Sequence, residues 1–355
     1  MNWGISIVVP SWNGLHLLRE NLPSIASAAR TYRLKTGCPT EIIIVDDGSQ
    51  DETKKVLPRE FPEVQLVSKQ KNQGFAIACN KGFEHCRFPL VSLLNNDVRI
   101  QRDYLIHQAR HFADPNVFAV TAKVFASDEP IFTAGGRVGR FRRGFWSVYF
   151  NYDVSTLGAA AQWIEKGRLL SVYAIGGFST YDREKLQQLG GFNPLLSPFH
   201  WEDVDLSYRG WKRGWEVHYE PRSIAYHQIS ATINTHFRKK SVEAVSLRNR
   251  LLFHWINLHS TGFLLRHVVM LLILFATRIF VFDYYFYRSL FQALSQGAAV
   301  LRLRKVEHRQ ARRSDVEISR LLNSFYRSAP IQIYYNQQEV IEKHPGLKGA
   351  GTKNV

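Results

Sequence analysis

Short apolar runs alternate with longer amphipathic stretches along the first third of the chain. The runs that predict strands are residues 5–9, 41–45, 64–68, 90–94 and 118–124. The stretches with helical spacing are residues 15–32, 53–61, 75–86 and 104–112. Such alternation predicts an α/β fold with a parallel, doubly wound sheet and helices on both faces. Ligands bind beyond the carboxyl ends of the strands in such sheets, so the segments that follow the strands are candidates for a site.

Three polar segments follow predicted strands, namely PSWNG at 10–14, DDGS at 46–49 and NND at 95–97. Asn, Asp and Gly are common turn formers, so an ordinary turn is the alternative at each segment. An Asp at a strand end can accept a hydrogen bond from a ribose hydroxyl or a base imide, and Trp12 can stack on a base. The segment NQG at 72–74 opens a predicted helix, where a glycine allows a ligand to approach the backbone and the helix N-terminus favours phosphate.

The NND segment has the residue types of a divalent cation site. Asp97 and the amide oxygen of Asn95 or Asn96 are hard donors suited to Mg²⁺ or Mn²⁺ that bridges a diphosphate. One carboxylate is a weak site unless the diphosphate supplies further oxygens. The chain has no GxGxxG or GxxxxGK[ST] loop, which argues against a dinucleotide or P-loop protein.

The second half of the chain offers fewer candidates. Acidic residues in WEDVD (201–205) begin a predicted helix, so Glu202 and Asp203 are either dipole partners or a general base. His227 is either a packed histidine or a ligand for a metal or phosphate. Residues 130–170, rich in Gly, Arg and aromatics, predict an insertion or a mobile lid. Three cations of the predicted helix are expected to be surface charges: Arg209, Lys212 and Arg213.

Composition narrows the classes of partner. With 46 Lys and Arg against 30 Asp and Glu, the 355-residue chain has a net charge of +16, which favours polyanionic partners such as nucleotides, phospholipid surfaces or nucleic acid. The three cysteines form no CxxC pair, which argues against a disulfide framework or a zinc site and favours a reducing cytosol. The N-terminal apolar run of about five residues is shorter than the roughly 7–15 of a signal peptide, so no export signal is expected.

The segment 263–282 is apolar enough to raise the question of a membrane. Its uninterrupted part, 268–277, would be about 15 Å long as a helix, roughly half the hydrocarbon thickness. Arg266 and Arg278 flank it, so we expect a monotopic or re-entrant helix rather than a span. A basic series is expected on one helical face toward anionic lipid: Arg302, Lys305, Arg309, Arg312 and Arg313. The alternatives are a soluble helical hairpin packed on the catalytic domain and a dimer interface.

Seven motifs occur in a specific order: IVVPSWNG, IIIVDDGS, KNQGFAIACNKG, LLNNDV, AIGGFSTYDREKLQQLGGF, WEDVDLSYRGWKRGWEVHYEP and AYHQ. In that order they resemble the inverting family-2 glycosyltransferases of GT-A fold, especially the rhamnosyltransferase-like branch of bacterial surface polysaccharide synthesis. The resemblance covers roughly residues 4–255. It implies a GT-A domain over 1–255, with a nucleotide-binding half at 1–125 and an acceptor half at 126–255. Residues 256–355 would then be a helical, basic, membrane-associating region.

The resemblance also implies roles for individual residues. Asp203 would be the catalytic base, with Glu202 as the second choice, and Asp97 and His227 would hold the metal and diphosphate. Asn95 stands where the family often has the first carboxylate of a DxD motif, a departure that bears on metal affinity. The residues expected to bind the nucleotide sugar are Pro10, Trp12, Asn13, Asp46, Asp47, Asn72, Gly74, Asn95, Asn96 and Gly177.

The implied reaction is transfer of a sugar from a nucleoside-diphosphate donor, with Mg²⁺ or Mn²⁺, to a lipid-linked or polysaccharide acceptor. The commonest donor of the branch is dTDP-rhamnose, and UDP- and GDP-sugars are alternatives. The expected location is the cytoplasm, peripheral at the inner face of the plasma membrane, and a homodimer is possible. Competing interpretations are a sugar nucleotidyltransferase, which lacks support from a Gly-rich N-terminal loop, a non-catalytic member of the fold, and a basic nucleic-acid-binding protein. The last is disfavoured because the aromatics at 280–287 adjoin an apolar run.

Overall fold

The computed structural model describes residues 3–126, 131–155, 159–227, 238–335 and 338–339, which form two sheets and a set of covering helices. The strands are β1 (Ile5–Ser11), β2 (Thr40–Asp46), β3 (Gln65–Ser68), β4 (Leu90–Leu94), β5 (Val98–Ile100), β6 (Val117–Ala126), β7 (Phe132–Ala134), β8 (Gly136–Arg142), β9 (Phe145–Asp153), β10 (Phe178–Asp182), β11 (Glu216–His227), β12 (Gln332–Tyr335) and β13 (Gln338–Glu339).

The helices are α1 (Leu15–Thr36), α2 (Thr53–Glu60), α3 (Phe75–His85), α4 (Tyr104–Ala109), α5 (Ala159–Glu165), α6 (Arg183–Gln188), α7 (Glu202–Lys212), α8 (Lys239–Asn257), α9 (Thr261–Arg278), α10 (Tyr284–Leu294), α11 (Gly297–Gln310) and α12 (Asp315–Ser328). In the first third, the helices and strands coincide closely with the predicted ones. Helix α1 buries a stripe with helical spacing that includes Leu18, Leu22 and Ile25. It ends at Gly37, whose left-handed φ of 72° allows its N–H to bond back to Arg33 O at 2.9 Å.

The large sheet has the order β3-β2-β1-β4-β10-β6-β11-β5, with β7 beside β6. Strands β1 to β4 are parallel to one another, as predicted, but β10 runs antiparallel to both β4 and β6. The sheet is therefore mixed, and the prediction of a parallel sheet is wrong for this part. Because β10 is reversed, its first residue Phe178 pairs with Leu94 at the end of β4. The loop before β10 thus reaches the rim where the polar segments lie.

The region expected to be an insertion or lid is a β-hairpin, β8–β9, in a second sheet with β12 and β13. Its turn packs on α9, where His267 Nδ1 donates to Gly144 O at 2.8 Å. Gly139 N donates to the hydroxyl of Tyr326 on α12 at 2.9 Å. The hairpin is therefore bonded to the C-terminal helices at both its turn and its middle.

Helix α7 is buried on nearly all sides, so the prediction that its cations are surface charges is wrong. Arg209 Nε donates to Asp205 at 2.8 Å, Lys212 Nζ lies 2.7 Å from Asp315, and Arg213 forms an ion pair with a glutamate of α11. The sequence could not show this burial, because the partner Asp315 lies about a hundred residues away and covers the helix only after folding. These contacts fix the helix that begins with Glu202 and Asp203.

The chain beyond residue 255 returns to the main core. Ile318, Leu322 and Phe325 of α12 belong to the same hydrophobic cluster as the sheet, while α8 and α10 form a second cluster with residues such as Leu251 and Leu290. By length and composition, Thr261–Val281 could cross a membrane, and almost none of it is buried. Helix α11 ends before residues 312 and 313, so the predicted basic series does not lie on one helix. Residues 340–355 of the predicted C-terminal region lie outside the described residues.

Candidate functional site

An open cleft of about 620 Å³ lies where β1, β2 and β4 end. It brings together the three carboxylates of Asp47, Asp97 and Asp203, although they are far apart in the sequence. The residues predicted for the site that line this cleft are Pro10, Trp12, Asp47, Asn72, Gly74, Asn95, Asn96, Asp97, Glu202, Asp203 and His227. A cleft of this size is within the range of small-molecule sites, about 300–1,000 Å³.

Three predicted site residues lie behind the cleft lining and shape it. Asn13 accepts a hydrogen bond from Gln50 N at 2.8 Å, and Asp46 accepts one from Ser49 N at 2.9 Å, so both stabilise turns. Gly177 has a φ of 93°, and a Cβ atom there would lie 2.4 Å from the side chain of Asn95. Glycine at 177 therefore makes room for Asn95 at the rim.

Asp47 holds the loop that leads into α3. Its carboxylate lies 2.6 Å from Lys69 Nζ and accepts hydrogen bonds from Gln73 N at 3.1 Å and Gly74 N at 2.9 Å. Asn72 accepts a second bond from the same Gly74 N–H at 3.0 Å. The carboxylate still borders the cleft, but its charge is already paired with Lys69. From the sequence we expected Asp47 only to bind a ligand. Its hydrogen bonds to the loop that leads into α3 were not predicted.

Two side-chain oxygen atoms of the NND segment have no hydrogen-bond donor among the described residues. Asn95 Oδ1 and Asp97 Oδ1 are buried and have no hydrogen-bond partner within the part of the chain that the structure describes. His227 Nε2 lies 3.4 Å from Asp97 Oδ1, an ion-pair distance. Pairing of His227 with Val98 across β11 and β5 fixes this approach. Buried acceptors without donors are uncommon, and a cation can satisfy them.

The oxygen atoms of Asn95 and Asp97 and the nitrogen of His227 fit a divalent cation whose remaining ligands are not side chains of this protein. Across the described ranges, no group of three or more His, Cys, Asp or Glu side chains is arranged to hold a metal ion. Mg²⁺ and similar ions commonly keep one or two carboxylates and complete their shell with phosphate oxygens and water. The neighbouring Asn96 is used structurally, since its Nδ2 donates to Ser11 Oγ at 3.0 Å.

The acidic pair at the start of α7 has two unequal members. Asp203 accepts hydrogen bonds from Val204 N at 2.8 Å and Gly176 N at 3.1 Å. Burial raises the pKa of Asp203, and these two N–H groups act against that rise. Burial and the charge of Asp203 raise the pKa of Glu202 well above its usual value, and Glu202 Oε2 has no partner in the described ranges. The proton of the pair therefore belongs on Glu202, and the negative charge belongs on Asp203.

The turn before α7 has an unusual backbone. His200 and Trp201 both have left-handed φ values, 71° and 72°, which cost non-glycine residues of order 1–3 kcal/mol each. Asn249 of α8 stabilises this turn, because its Nδ2 lies 2.9 Å from the carbonyl oxygens of both Phe199 and His200. Asn249 was missed from the sequence, where its only signal is an amide among apolar helical positions.

Sequence reasoning also missed Arg137. It lies on β8, lines the same cleft as the acidic pair, and its guanidinium sits over the ring of Tyr173 at 5.3 Å. The sequence shows only an arginine after two glycines in a weakly periodic region. Other cleft residues that were not predicted include Tyr149, Tyr173 and Ser246. They come from the hairpin, the loop before β10 and α8.

A mixed sheet of this order, with a nucleotide-sized cleft at the ends of β1, β2 and β4, defines a GT-A glycosyltransferase fold. The family model described as glycosyl transferase family 2 matches residues 6–190, and the chain belongs to this family.

Curated relatives are distant and longer. The chain is 24% identical over 238 residues to the poly-β-1,6-N-acetyl-D-glucosamine synthase of Staphylococcus aureus, covering 65% of this chain and 51% of that protein. It is 24% identical over 225 residues to polypeptide N-acetylgalactosaminyltransferase 6 of Bos taurus, covering 59% of this chain and 35% of that protein. The chain thus spans about half, or less, of the length of these relatives.

Solved structures share the fold at low identity. GalNAc-T7 with UDP, GalNAc and Mn²⁺ matches with a TM-score of 0.53 and 16% identity, covering 72% of this chain and 48% of that one. The mannosyltransferase PcManGT of Pyrobaculum calidifontis with GDP-Man and Mn²⁺ has a TM-score of 0.50 and 16% identity, covering 83% and 87%. Staphylococcus aureus TarS 1–349 with UDP-GlcNAc has a TM-score of 0.50 and 15% identity, covering 96% and 98%.

Proposed function

We propose that the protein is an inverting glycosyltransferase that moves a sugar from a nucleoside-diphosphate donor to a lipid-linked or glycan acceptor. The observation that carries this proposal is the convergence of Asp97 and Asp203 on one cleft, which also contains buried side-chain oxygen atoms without hydrogen-bond partners among the described residues. The two groups of residues suit the two halves of the reaction. Those of the NND segment would hold the diphosphate, and the acidic pair would activate the acceptor.

The proposed reaction is a single displacement. The acceptor hydroxyl oxygen attacks the anomeric carbon, its proton passes to an Oδ atom of Asp203, and the bond from that carbon to the diphosphate oxygen breaks. The nucleoside diphosphate leaves with the electron pair. Asn95, Asp97 and His227 would hold Mg²⁺ or Mn²⁺, which when bound supplies positive charge to the leaving diphosphate. The N–H groups of Gly176 and Val204 keep Asp203 oriented toward the cleft.

The nucleotide site of the proposal combines Trp12 for stacking with the loop held by Asp47. We take dTDP-rhamnose as the first donor to test, since the rhamnosyltransferase-like motifs point to it, with UDP- and GDP-sugars beside it. The structural neighbours are complexes with UDP, GDP-Man and UDP-GlcNAc, which supports a nucleoside-diphosphate sugar in general. Mn²⁺ in two of them supports a divalent cation.

Thermal shift with dTDP, UDP and GDP, each with and without Mn²⁺, tests the donor site. One nucleotide should raise the melting temperature, more so with Mn²⁺, and Asp97→Asn should remove the Mn²⁺-dependent part. Asp103→Asn, which changes a carboxylate that bonds only within α4, is the matched control. A shift that is identical with and without Mn²⁺ in both variants would contradict the cation site. Release of nucleoside diphosphate rather than pyrophosphate from the donor sugar separates a transferase from a sugar nucleotidyltransferase.

We also propose that the protein works at the inner face of the plasma membrane, where a lipid-linked acceptor would lie. The support is an apolar surface formed by α9, the corner at Ile279–Val281 and α10. At this corner Phe280 is 80% exposed and Phe282 is 91% exposed. Met270 and Leu271 on the other side of α9 pack against the α8–α10 cluster. A helix that is packed on the protein along one side and apolar on the other suits insertion into one leaflet.

A further inference from the structure

Arg137 is fixed at the cleft by its backbone. Its N–H donates to Ser171 Oγ at 2.9 Å, and the Tyr326 hydroxyl donates to its carbonyl oxygen at 3.4 Å. The guanidinium rests on the ring of Tyr173 at 5.3 Å. Its Nε is buried and has no hydrogen-bond partner among the described residues. Arg137 lines the cleft, and among the described residues its guanidinium forms no ion pair with a carboxylate.

Arg137 lines the same cleft as the acidic pair, and its positive charge acts to lower the pKa of Asp203. Glu202 and Asp203 are adjacent and buried, and two such carboxylates do not both ionise readily. The member that keeps its charge can act as the base, so the distribution of one proton decides which of them reacts. The two backbone N–H bonds to Asp203 favour its charged form, whereas Glu202 Oε2 receives none.

The other groups around Asp203 contribute less positive charge. His200 lies in the turn before α7, and its charge acts on Asp203 in the same sense as that of Arg137. The charge of Asp203 acts on Tyr173 and Tyr181, and that of Glu202 acts on Cys79; burial raises the pKa of all three, so they stay neutral. Of the two described cationic side chains that act on Asp203, Arg137 on the hairpin is the permanently charged one.

We propose that Arg137 is a positioning residue that keeps the negative charge of the pair on Asp203 and leaves the proton on Glu202. The inference rests on the proposed role of Asp203 as base. The hairpin β8–β9 then does more than border the cleft, because it determines the protonation state of a residue on α7. The acceptor hydroxyl would meet a carboxylate that is already ionised.

Replacing Arg137 by methionine tests this role, since methionine keeps much of the apolar stem and removes the charge. The ascending limb of the pH profile of kcat should move to higher pH by about one unit, which is about a tenfold loss at a fixed pH on that limb. On the alkaline plateau the rate should recover to near that of the wild type. Arg137→Lys keeps a positive charge and should return the limb most of the way toward its original position. Arg142→Met, an exposed position on the same strand, is the matched control and should leave the profile unchanged.

A second measurement does not depend on turnover. In protein labelled with ¹³C at the Asp and Glu carboxyl carbons, the Asp203 signal is the one that Asp203→Asn removes. Its titration midpoint should rise in Arg137→Met and not in Arg142→Met. An unchanged midpoint would overturn the inference, as would a loss of kcat by the same factor at every pH. A change confined to KM for the acceptor would assign Arg137 to acceptor binding and would also overturn it.

The two proposals can fail separately. If Asp203→Asn transfers sugar at the wild-type rate, the base assignment fails, whatever Arg137 does. If Asp203→Asn is inactive but Arg137→Met leaves both the rate profile and the carboxyl titration unchanged, only the role of Arg137 fails.

Discussion

Lys212 Nζ lies 2.7 Å from Asp315 Oδ1, and both side chains are almost completely buried. This ion pair joins α7, which begins with the proposed base, to α12. Asp315 also accepts hydrogen bonds from Tyr208 Oη at 2.7 Å and Ser260 N at 2.6 Å. The C-terminal helix is therefore bonded directly to the helix of the candidate site, and the site depends on residues far along the chain.

Breaking this pair should destabilise the fold. Removing one partner of a buried ion pair typically costs about 3–5 kcal/mol, because the other charge stays buried alone. We expect Asp315→Asn to lower the free energy of unfolding by an amount of that order in urea titration. Glu52→Gln, which removes an exposed pair with Lys55, is the control and should change it by about 1 kcal/mol or less. Equal effects of the two changes would contradict the structural role of Asp315.

The same pair gives a pH dependence of stability. Burial opposes ionisation of Asp315, but Lys212 and the donated hydrogen bonds outweigh it, so the pKa of Asp315 is lowered from 3.8. A lowered pKa means that the contribution is complete above the unfolded value and is lost as the pH falls through the folded value. Wild-type protein should therefore lose stability below about pH 4 more steeply than Asp315→Asn, measured by urea midpoints between pH 2 and pH 6. Parallel curves for the two proteins would contradict this.

Asp203 and Glu202 should respond differently to replacement by the corresponding amide. General-base catalysis contributes about 10²–10⁴-fold, so Asp203→Asn should lower kcat by that order and leave nucleotide binding nearly unchanged. Glu202→Gln resembles the protonated side chain that burial favours, so it should change kcat by only a few fold. Turnover with a saturating donor and thermal shift with the nucleotide measure the two effects. A dead Glu202→Gln beside an active Asp203→Asn would reverse the assignment.

The features that could be predicted from the sequence are those that depend on residues close together in the chain. Apolar runs predicted β1, β2 and β4, and the segments after them line the cleft because parallel strands end at one rim. The sequence did not predict contacts that depend on distant pairing. The reversal of β10 appears only in its pairing with β4 and β6, and the burial of Lys212 depends on Asp315 of α12. Arg137 and Asn249 were missed for the same reason, since neither has a local pattern that points to the cleft.

Gly177 should be needed for the position of Asn95. In Gly177→Ala the new Cβ would meet the Asn95 side chain at 2.4 Å, in a backbone region with φ of 93° that favours glycine. We expect lower stability and weaker Mn²⁺-dependent nucleotide binding. Gly190→Ala is a matched control, because its φ is 72° but no described heavy atom lies within 4 Å of the new Cβ. It should cost only backbone strain, about 1 kcal/mol, with normal nucleotide binding in the thermal-shift assay. Loss of binding in both variants would point to a general effect of destabilisation.

The apolar surface on α9 and its corner should mediate binding to anionic bilayers. Deleting the C-terminal region is a poor test, because it removes Asp315 and the core residues of α12 and would unfold the protein. Substitutions on the exposed side are sharper. Burying a Leu or Phe side chain contributes about 1.5–3 kcal/mol, so Leu272→Asp together with Phe280→Asp should abolish sedimentation with phosphatidylglycerol vesicles.

The control for this surface is Leu34→Asp, at a leucine that is 76% exposed on α1. It changes the same residue type away from α9 and should sediment like the wild type. Exposed cations on α11 such as Arg302 and Lys305 should make binding weaker at high salt and on neutral phosphatidylcholine.

Sedimentation of the double variant with vesicles at the wild-type level would contradict a membrane role for the surface. If the wild type stays in the supernatant and the double substitution converts a dimer into a monomer, the surface is an interface between two copies. Either covering would stabilise the apolar corner, where Phe282 is 91% exposed, because burying apolar surface is favourable.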